Sequence, residues 1–194
     1  KAIKEGRDFE ENFRLEPLMP VLDNQIPLKA HCHRTDDILT AIRIGKEFDV
    51  NITLDHCSEG HLIPEHIKKS RRDAIVGPTL TARSKIEVKN KTFKTPKVLH
   101  DNGVKIAIMT DHPVIPIEYL PLCAGLAAKE GLGIKEALKA ITINAAEICG
   151  IDNRVGSLEV GKDADIVISN GNPLDSLTST TCTIINGKIE YINE

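Results

Sequence analysis

The stretch IPLKAHCHRTDDILTAIRIGKEFDVNITLDH (residues 26–56) contains the pattern that decides the fold. Its first part, IPLKAHCH (26–33), is a short apolar-rich segment that predicts a strand ending in two histidines. Two aspartates then begin a helix, whose apolar side chains recur every three or four residues from Ile38 to Phe48. The last part, VNITLDH (50–56), predicts a second strand that also ends in a histidine. A strand, a helix and a strand in this order predict an α/β fold.

The same alternation continues further along the chain. Pro64 to Ser70 predicts a short helix, and AIVGP (74–78) a third strand. Residues 79–97 are polar and basic without a clear period, which predicts a long loop. VKIAIMTD (104–111) is nearly continuously apolar, as expected of a strand buried on both faces of a parallel sheet. Strands that end in ionisable residues are typical of a (β/α) barrel, but four units fit either half a barrel or a smaller open sheet.

The character of the sequence changes near residue 150. Two helices are predicted before that point, at about Glu118 to Glu130 and at Ile134 to Cys149. After it come four short strand-like segments, VGSLEV (155–160), ADIVIS (164–169), CTIINGK (182–188) and KIEYI (188–192). Asn186-Gly187 is a strong signal for a two-residue hairpin. We therefore predict two parts, residues 1–150 and residues 151–194.

The composition favours a globular protein that acts on a small molecule. The formal net charge of −3, without basic clusters interleaved with aromatic residues, argues against nucleic acid or an anionic membrane as a partner. No apolar run approaches the roughly 18 residues that a bilayer span needs. The five cysteines are scattered and form no CxxC pair, which indicates a reducing cytoplasm.

Ionisable residues at the predicted strand ends are the candidates for catalysis. His31 and His33 are two apart on one strand and so project to the same face, while Cys32 projects to the other. His56 and Asp111 end two further strands, and His31, His56 and Asp111 on one rim match the ligand set of a catalytic zinc ion. Asp111 is also the candidate proton acceptor. The alternatives are three unrelated strand-end residues, and a helix N-cap role for Asp111.

Other polar residues are weaker candidates. Arg83, in the basic loop, is a possible contact for a substrate carboxylate, although such stretches are usually solvated surface. Cys32 and Cys57 are alternative metal ligands or nucleophiles, but their strand positions predict that both point away from the site. Asp55 is expected to face away from the site and to pair with a backbone group or a helix.

Five motifs together resemble a known family. They are HCH (31–33), LDH (54–56), MTDHP (109–113), ITINAAEICGI (141–151) and VGSLEVGKDADIVISNGNP (155–173). This set resembles the metal-dependent amidohydrolase superfamily and is most similar to its imidazolonepropionase-like members. The resemblance implies hydrolysis of C–N bonds in a cyclic amide-type small molecule by metal-activated water. The alternatives are a deaminase or a deacetylase of the same superfamily, and a non-catalytic fragment that keeps the fold.

The resemblance also assigns residues to roles. It implies a (β/α)8 TIM-type barrel, of which this chain would be the C-terminal half, followed by strands of a small β-sandwich. His31 would be the metal ligand on the fifth barrel strand and His56 the ligand on the sixth, with Asp111 as the eighth-strand ligand that relays protons. His33 and His112 would either face the substrate or contact the metal ligands without binding the metal themselves. The implied cofactor is a divalent metal, zinc first, with iron or manganese as alternatives.

The chain also departs from the family pattern. Members begin with an H-x-H pair on the first barrel strand and carry a lysine or glutamate ligand on the fourth, and nothing before the HCH segment, which resembles the fifth strand, supplies either. We therefore expect a C-terminal part that is inactive in isolation. The open strand edges of half a barrel favour pairing with another chain, which includes formation of a homo-oligomer.

Overall fold

Four parallel strands form the central sheet of the computed structural model, which describes residues 5–6 and 12–193. The strands are β1 (Leu28–Cys32), β2 (Ile52–His56), β3 (Asp73–Val76) and β4 (Ile106–Ile108), and they are arranged in chain order. Helices connect successive strands, as parallel pairing requires. This arrangement confirms the predicted α/β class and is a partial TIM-barrel-like fold.

Seven α-helices are present in the described part of the chain. They are α1 (Met19–Leu22), α2 (Thr35–Glu47), α3 (Pro64–Ser70), α4 (Thr95–Asp101), α5 (Leu120–Ala127), α6 (Ile134–Ala140) and α7 (Ile143–Cys149), with a π-helical turn at Ala128–Leu132. Acidic residues in the first turn of α2 and prolines in the first turns of α3 and α4 favour helix starts there. Among the described residues, no helix has the length and the apolar character to cross a bilayer.

The main core lies between one face of the sheet and the helices. Its largest fully buried side chains include Ile38, Ile52, Leu54, Ile67, Leu99 and Ile106. Full burial of an aliphatic side chain of this size contributes about 1.5–3 kcal/mol. Because the core involves all four strands, it fixes where each strand ends and therefore where the side chains beyond those ends lie.

The other face of the sheet is polar near β1 and β2. In the parallel register Lys29 lies beside Thr53, and His31 beside Asp55. The Asp55 carboxylate pairs with Lys29 Nζ at 3.1 Å and accepts a hydrogen bond of 2.8 Å from Thr53 Oγ1. The prediction that Asp55 faces away from the site is therefore wrong, because Asp55 keeps the regular alternation and shares a face with His31. The residue that departs from the alternation is His56.

Near β3 and β4 this second face becomes apolar. Ile75 and Ala107 pack there against Ile148 of α7. Helix α7 is further attached to β4 by the Asn144 side chain, whose Nδ2 donates to Ile106 O at 3.0 Å. The sheet therefore has helices on both sides of its β4 end.

A separate antiparallel sheet follows the helices. Its strands are β5 (Ile166–Ser169), β6 (Thr180–Ile185) and β7 (Lys188–Ile192). The predicted hairpin between β6 and β7 is confirmed, since Asn186 and Gly187 both have positive φ, 50° and 76°, as a type I′ turn requires. Leu174, in the segment between β5 and β6, packs into the main core, so this segment is attached to it by buried apolar contact.

Three sequence-based boundaries are wrong. VGSLEV (155–160) is not a strand, and it forms turns in which Ser157 Oγ donates to Glu159. The segment predicted as one helix over Ile134–Cys149 is two helices, because Thr142 has non-helical φ and ψ of −131° and −102°. Helix α4 was not predicted and begins inside the expected loop 79–97, which also contains a 3₁₀ turn at Ile86–Val88.

Candidate metal centre

Three histidines converge at the carboxyl ends of β1 and β2. The ring centroids of His31 and His33 are 4.9 Å apart, those of His31 and His56 4.2 Å, and those of His33 and His56 4.4 Å. One ring nitrogen from each histidine lies within 4.8 Å of the other two. His33 and His56 are buried, whereas His31 is exposed. Such a group can bind one cation while a position stays open on the exposed side.

The backbone at the end of β2 places His56 in this group. His56 is in register with Cys32, so regular alternation would direct its side chain into the core. Instead His56 and Cys57 have left-handed φ values of 72° and 46°, and the next side chain, that of Cys57, is fully buried in the core. Conformations of this kind cost about 1–3 kcal/mol per residue and persist where the surrounding structure imposes them.

Hydrogen bonds orient two of the three imidazoles. His56 Nδ1 donates to Gly77 O at 2.8 Å, because a carbonyl oxygen can only accept. His33 Nδ1 forms a hydrogen bond of 2.8 Å with the Ser58 hydroxyl. The Nε2 atom of each ring is therefore directed away from these partners. A second contact that fixes ring orientation is typical of metal-binding histidines.

Burial also sets the protonation state of these two rings. Loss of solvent lowers the pKa of His33 to about 4, and the neighbouring His56 and His31 lower it further. Burial likewise lowers the pKa of His56, against the opposing effect of the hydrogen bond to Gly77. Both rings are therefore neutral at pH 7. The neutral imidazole is the form that binds a metal ion.

Asp111 lies close to the histidines without being one of their group. It directly follows the β4 region, is half-buried, and has a left-handed φ of 54°. Its carboxylate is near enough to raise the pKa of His56. His112 is exposed beside it. Arg83 is exposed in the loop after β3, where its Nη2 donates to Lys91 O at 2.9 Å.

Glu59 connects the loops that surround the histidines. Its buried carboxylate accepts hydrogen bonds from the Thr35 backbone N–H at 2.9 Å and from Asn90 Nδ2 at 2.8 Å. Its own backbone N–H donates to His33 O at 2.9 Å. The loops after β1, β2 and β3 are thus joined at one residue, which restricts how far each can move relative to the others.

Four residues that contact or support the histidines were not predicted from the sequence: Ser58, Glu59, Gly77 and Glu87. The first three directly follow the ends of β2 and β3, and this position in an α/β fold is itself a signal for functional residues. Glu87 lies within a long loop that has no periodic pattern. No sequence signal distinguishes it from the neighbouring charged residues.

The cysteines lie where the strand positions predict. Cys32 and Cys57 are buried in the core, away from the histidines, and Cys123 is buried in α5. Burial raises the pKa of the Cys32 thiol to about 12 and also raises those of Cys57 and Cys123. Cys149 is exposed and Cys182 half-buried, and all five thiols are free.

This distribution predicts a two-stage reaction with a thiol reagent. Cys149 and Cys182 should react with Ellman's reagent in the native protein, because the thiolate is the reactive form and these two thiols are accessible. Cys32, Cys57 and Cys123 should react only after unfolding in urea. Mass spectrometry of partially labelled protein assigns the sites. Rapid native labelling of Cys32 or Cys57 would contradict this placement of the strand ends.

Comparison with known proteins identifies the family. The amidohydrolase family model matches residues 21–189. The chain belongs to the amidohydrolase family. It is an imidazolonepropionase-like member of the superfamily, as the motifs predict. The amidohydrolase tasK of Hapsidospora irregularis is 27% identical over 185 residues, which are 93% of this chain and 19% of that protein. Imidazolonepropionase of Bdellovibrio bacteriovorus is 32% identical over 123 residues, which are 61% of this chain and 29% of the enzyme.

About half of a solved amidohydrolase has nearly the same structure as this chain. The amidohydrolase from Thermotoga maritima MSB8 is 40% identical and superimposes with a TM-score of 0.92, covering 99% of this chain and 50% of that protein. A Xaa-Pro dipeptidase with bound methionine is 20% identical with a TM-score of 0.69, a likeness that shows the fold alone. The amidohydrolase chain described here thus spans about half the length of its solved relative and less than a third of these curated relatives.

Proposed function

We propose that this amidohydrolase uses a divalent metal ion to hydrolyse C–N bonds of a cyclic amide-type small molecule. The observation that supports it most is the convergence of His31, His33 and His56, two of them buried and neutral, at one end of the parallel sheet. The imidazolonepropionase relatives support the substrate class. A divalent cation in this position would acidify a water molecule and polarise the bond to be cleaved.

The donor set fits such a cation. Imidazole nitrogens and a nearby carboxylate are ligands that zinc, iron and manganese accept, and zinc is our first choice. We assign His31, His56 and Asp111 as ligands in the complete protein. The hydrogen bond from His56 to Gly77 O leaves Nε2 of that ring for the metal.

The remaining residues have roles on the substrate side. Asp111 accepts a proton from the attacking water and passes it to the leaving nitrogen, which its position beside His56 supports. His112 and Arg83 are exposed beyond β4 and β3, where they can contact the substrate. His33 is also assigned as a substrate contact, with its Nε2 directed away from Ser58.

We also propose how this part fits a whole protein. Residues 1–150 would be strands five to eight of a (β/α)8 barrel, and residues 151–194 would contribute strands to a small β-sandwich. Edge strand β1 lies beside an apolar groove of about 510 Å³ lined by Leu22, Leu28, Ile44 and Phe48, among others. Exposed apolar surface of this kind supports coverage by further protein, either the other barrel half or a second copy.

The cysteines support a proposed location. Five free thiols, three of them in the core, are what a reducing compartment permits, and we place the protein in the cytoplasm. The expected partner is a small-molecule substrate, without nucleic acid or membrane.

Metal content tests the proposal. Plasma mass spectrometry of the purified and dialysed protein should find close to one zinc, iron or manganese ion per chain. His56→Ala should lose that ion, because the substitution removes a buried neutral ligand that Gly77 orients. Asp111→Ala should weaken its retention. His66→Ala, which changes an exposed histidine on α3, is the matched control and should keep the metal.

The activity requires a second measurement. In the complete protein, ring opening of a cyclic amide-type substrate should depend on the retained metal and should be lost in His56→Ala. Release of ammonia or acetate from other substrates would instead identify a deaminase or a deacetylase. Equal metal content in His56→Ala and the wild type would show that the three histidines do not form the metal site.

A further inference from the structure

A buried serine holds the ring of His33. The Ser58 hydroxyl oxygen lies 2.8 Å from His33 Nδ1, and both residues are buried. In the part of the chain that the structure describes, the Ser58 hydroxyl has no other hydrogen-bond partner. The plane of the ring is also set, since His33 stacks on His56 with an angle of 26° between the rings. What the neutral ring can do then depends on which of its two nitrogens carries the proton.

The hydrogen-bonding capacity of Ser58 distinguishes the two nitrogens. If His33 Nδ1 carried the proton, it would donate to Ser58, and the hydroxyl proton would have no acceptor among the described residues. An unpaired polar group in a buried place costs free energy. If Ser58 donates to Nδ1 instead, both groups are satisfied. This second arrangement puts the proton of the His33 ring on Nε2.

The carboxylate that faces the other ring nitrogen favours the same arrangement. Glu87 Oε1 lies 4.0 Å from His33 Nε2, and a negatively charged oxygen attracts an N–H group more than a nitrogen lone pair. Lys85 pairs with this oxygen at 3.5 Å, but the Lys85 side chain is 72% exposed, so water and salt screen its charge. A separation of 4.0 Å is too long for a direct hydrogen bond. An N–H group at Nε2 is therefore still able to donate to a further acceptor.

The neighbouring His56 has the opposite arrangement. Its Nδ1 donates to Gly77 O, because a carbonyl oxygen can only accept, and its Nε2 keeps a lone pair. The two stacked imidazoles thus differ at Nε2, since the partner of one is a carbonyl and the partner of the other is a hydroxyl. A lone pair suits a metal ion, whereas an N–H group suits an oxygen with partial negative charge.

We propose that Ser58 is a positioning residue that keeps the proton of the neutral His33 ring on Nε2, so that His33 donates a hydrogen bond to the carbonyl oxygen of the substrate. The inference rests on the proposed function and deepens it, because it gives the substrate contact at His33 a defined chemical role. The N–H group is aligned before the substrate binds. It stabilises the negative charge that develops on the carbonyl oxygen when water attacks.

NMR of the protein with ¹⁵N-labelled histidine tests the position of the proton without any substrate. In long-range proton–nitrogen spectra, Nε2 couples to both ring C–H protons and Nδ1 to only one, and protonated and unprotonated nitrogens have well separated shifts. The signals of His33 are those that are missing from the spectrum of His33→Gln. We expect a protonated Nε2 for His33 and a protonated Nδ1 for His56.

Two serine variants show whether Ser58 is the cause. Ser58→Ala should move the Nδ1 resonance of His33 towards that of a nitrogen without a hydrogen bond, because the donor is gone. Ser70→Ala removes a hydroxyl that donates to Ile67 O at 2.7 Å in α3, and it should leave the His33 signals unchanged. In the complete protein, kcat for a cyclic amide-type substrate should fall about tenfold in Ser58→Ala with KM nearly unchanged, since the alignment matters most once charge develops.

Titration with Co²⁺, whose visible absorption reports binding, separates this inference from the proposed function. Ser58→Ala should bind Co²⁺ as tightly as the wild type, because His33 is not a ligand in the assignment above, whereas His56→Ala should lose binding.

Four results would refute the role of Ser58 while the proposed function stands. They are a proton on Nδ1 of His33 in the wild type and, in Ser58→Ala, unchanged His33 signals, an unchanged kcat or loss of Co²⁺ binding. A protonated Nε2 in a wild type that binds no Co²⁺ would confirm the position of the proton. It would refute the proposed function, and with it the role of His33 as a substrate contact.

Discussion

Glu59→Ala is expected to lower the free energy of unfolding by about 3 kcal/mol. The substitution removes the buried carboxylate that accepts from the half-buried Thr35 backbone N–H and from the Asn90 amide, and each lost bond to a charged acceptor costs about 1.5–3 kcal/mol. Urea denaturation followed by circular dichroism measures the change. Because the same carboxylate joins the loops around the histidines, the affinity for Co²⁺ should also fall.

An exposed carboxylate provides the control for this result. Glu47 on α2 pairs with Arg43 on the helix surface, and Glu47→Ala should change the stability by no more than about 0.5 kcal/mol. If Glu59→Ala were as mild as Glu47→Ala, water would be replacing both lost bonds. Glu59 would then not be what holds the three loops together.

Leu54→Ala is expected to destabilise the protein by about 2–5 kcal/mol. Leu54 lies in the middle of β2, is 0% exposed, and belongs to the core that the sheet shares with the helices. Removal of its branched side chain loses apolar burial and leaves a cavity that a strand paired on both sides cannot close. Thermal or urea denaturation should show a lower midpoint with a single transition.

An exposed leucine is the control that shows whether the effect of Leu54→Ala comes from burial or from the loss of any leucine side chain. Leu177, which is 89% exposed between β5 and β6, should tolerate alanine with a change within about 0.5 kcal/mol. A small effect of Leu54→Ala, similar to that of Leu177→Ala, would mean that β2 is not buried on its helix side. The register that places His56 beside Cys32 would then be wrong.

Local patterns were enough to predict the four strands of the parallel sheet, although β4 ends at Ile108, three residues before Asp111. The apolar run of β2 and the position of His56 at its end can be read from adjacent residues, because burial and side-chain alternation act over a few positions. The hairpin at Asn186-Gly187 was predictable for the same reason, since two residues determine that turn. The motifs between Ile141 and Pro173 were the most specific basis for predicting the amidohydrolase family.

Two features of the site depend on contacts between distant residues and could not be read in this way. Alternation predicted that Asp55 and His56 would face opposite ways, but it could not reveal that a left-handed backbone would turn His56 toward His31. The position of Glu87 depends on the bond between Asn90 and Glu59, which are 31 residues apart. Loop conformations of this kind are set by tertiary contacts that no local period encodes.

The left-handed backbone at His56 and Asp111 has a consequence for how such a protein changes under selection. Glycine and asparagine adopt this conformation more easily than histidine or aspartate, so a screen for heat resistance alone would favour them at these two positions. Each such replacement would remove a proposed metal ligand. Libraries built to raise the heat resistance of this protein should therefore keep both codons fixed, or the most heat-resistant clones will lack the proposed ligands.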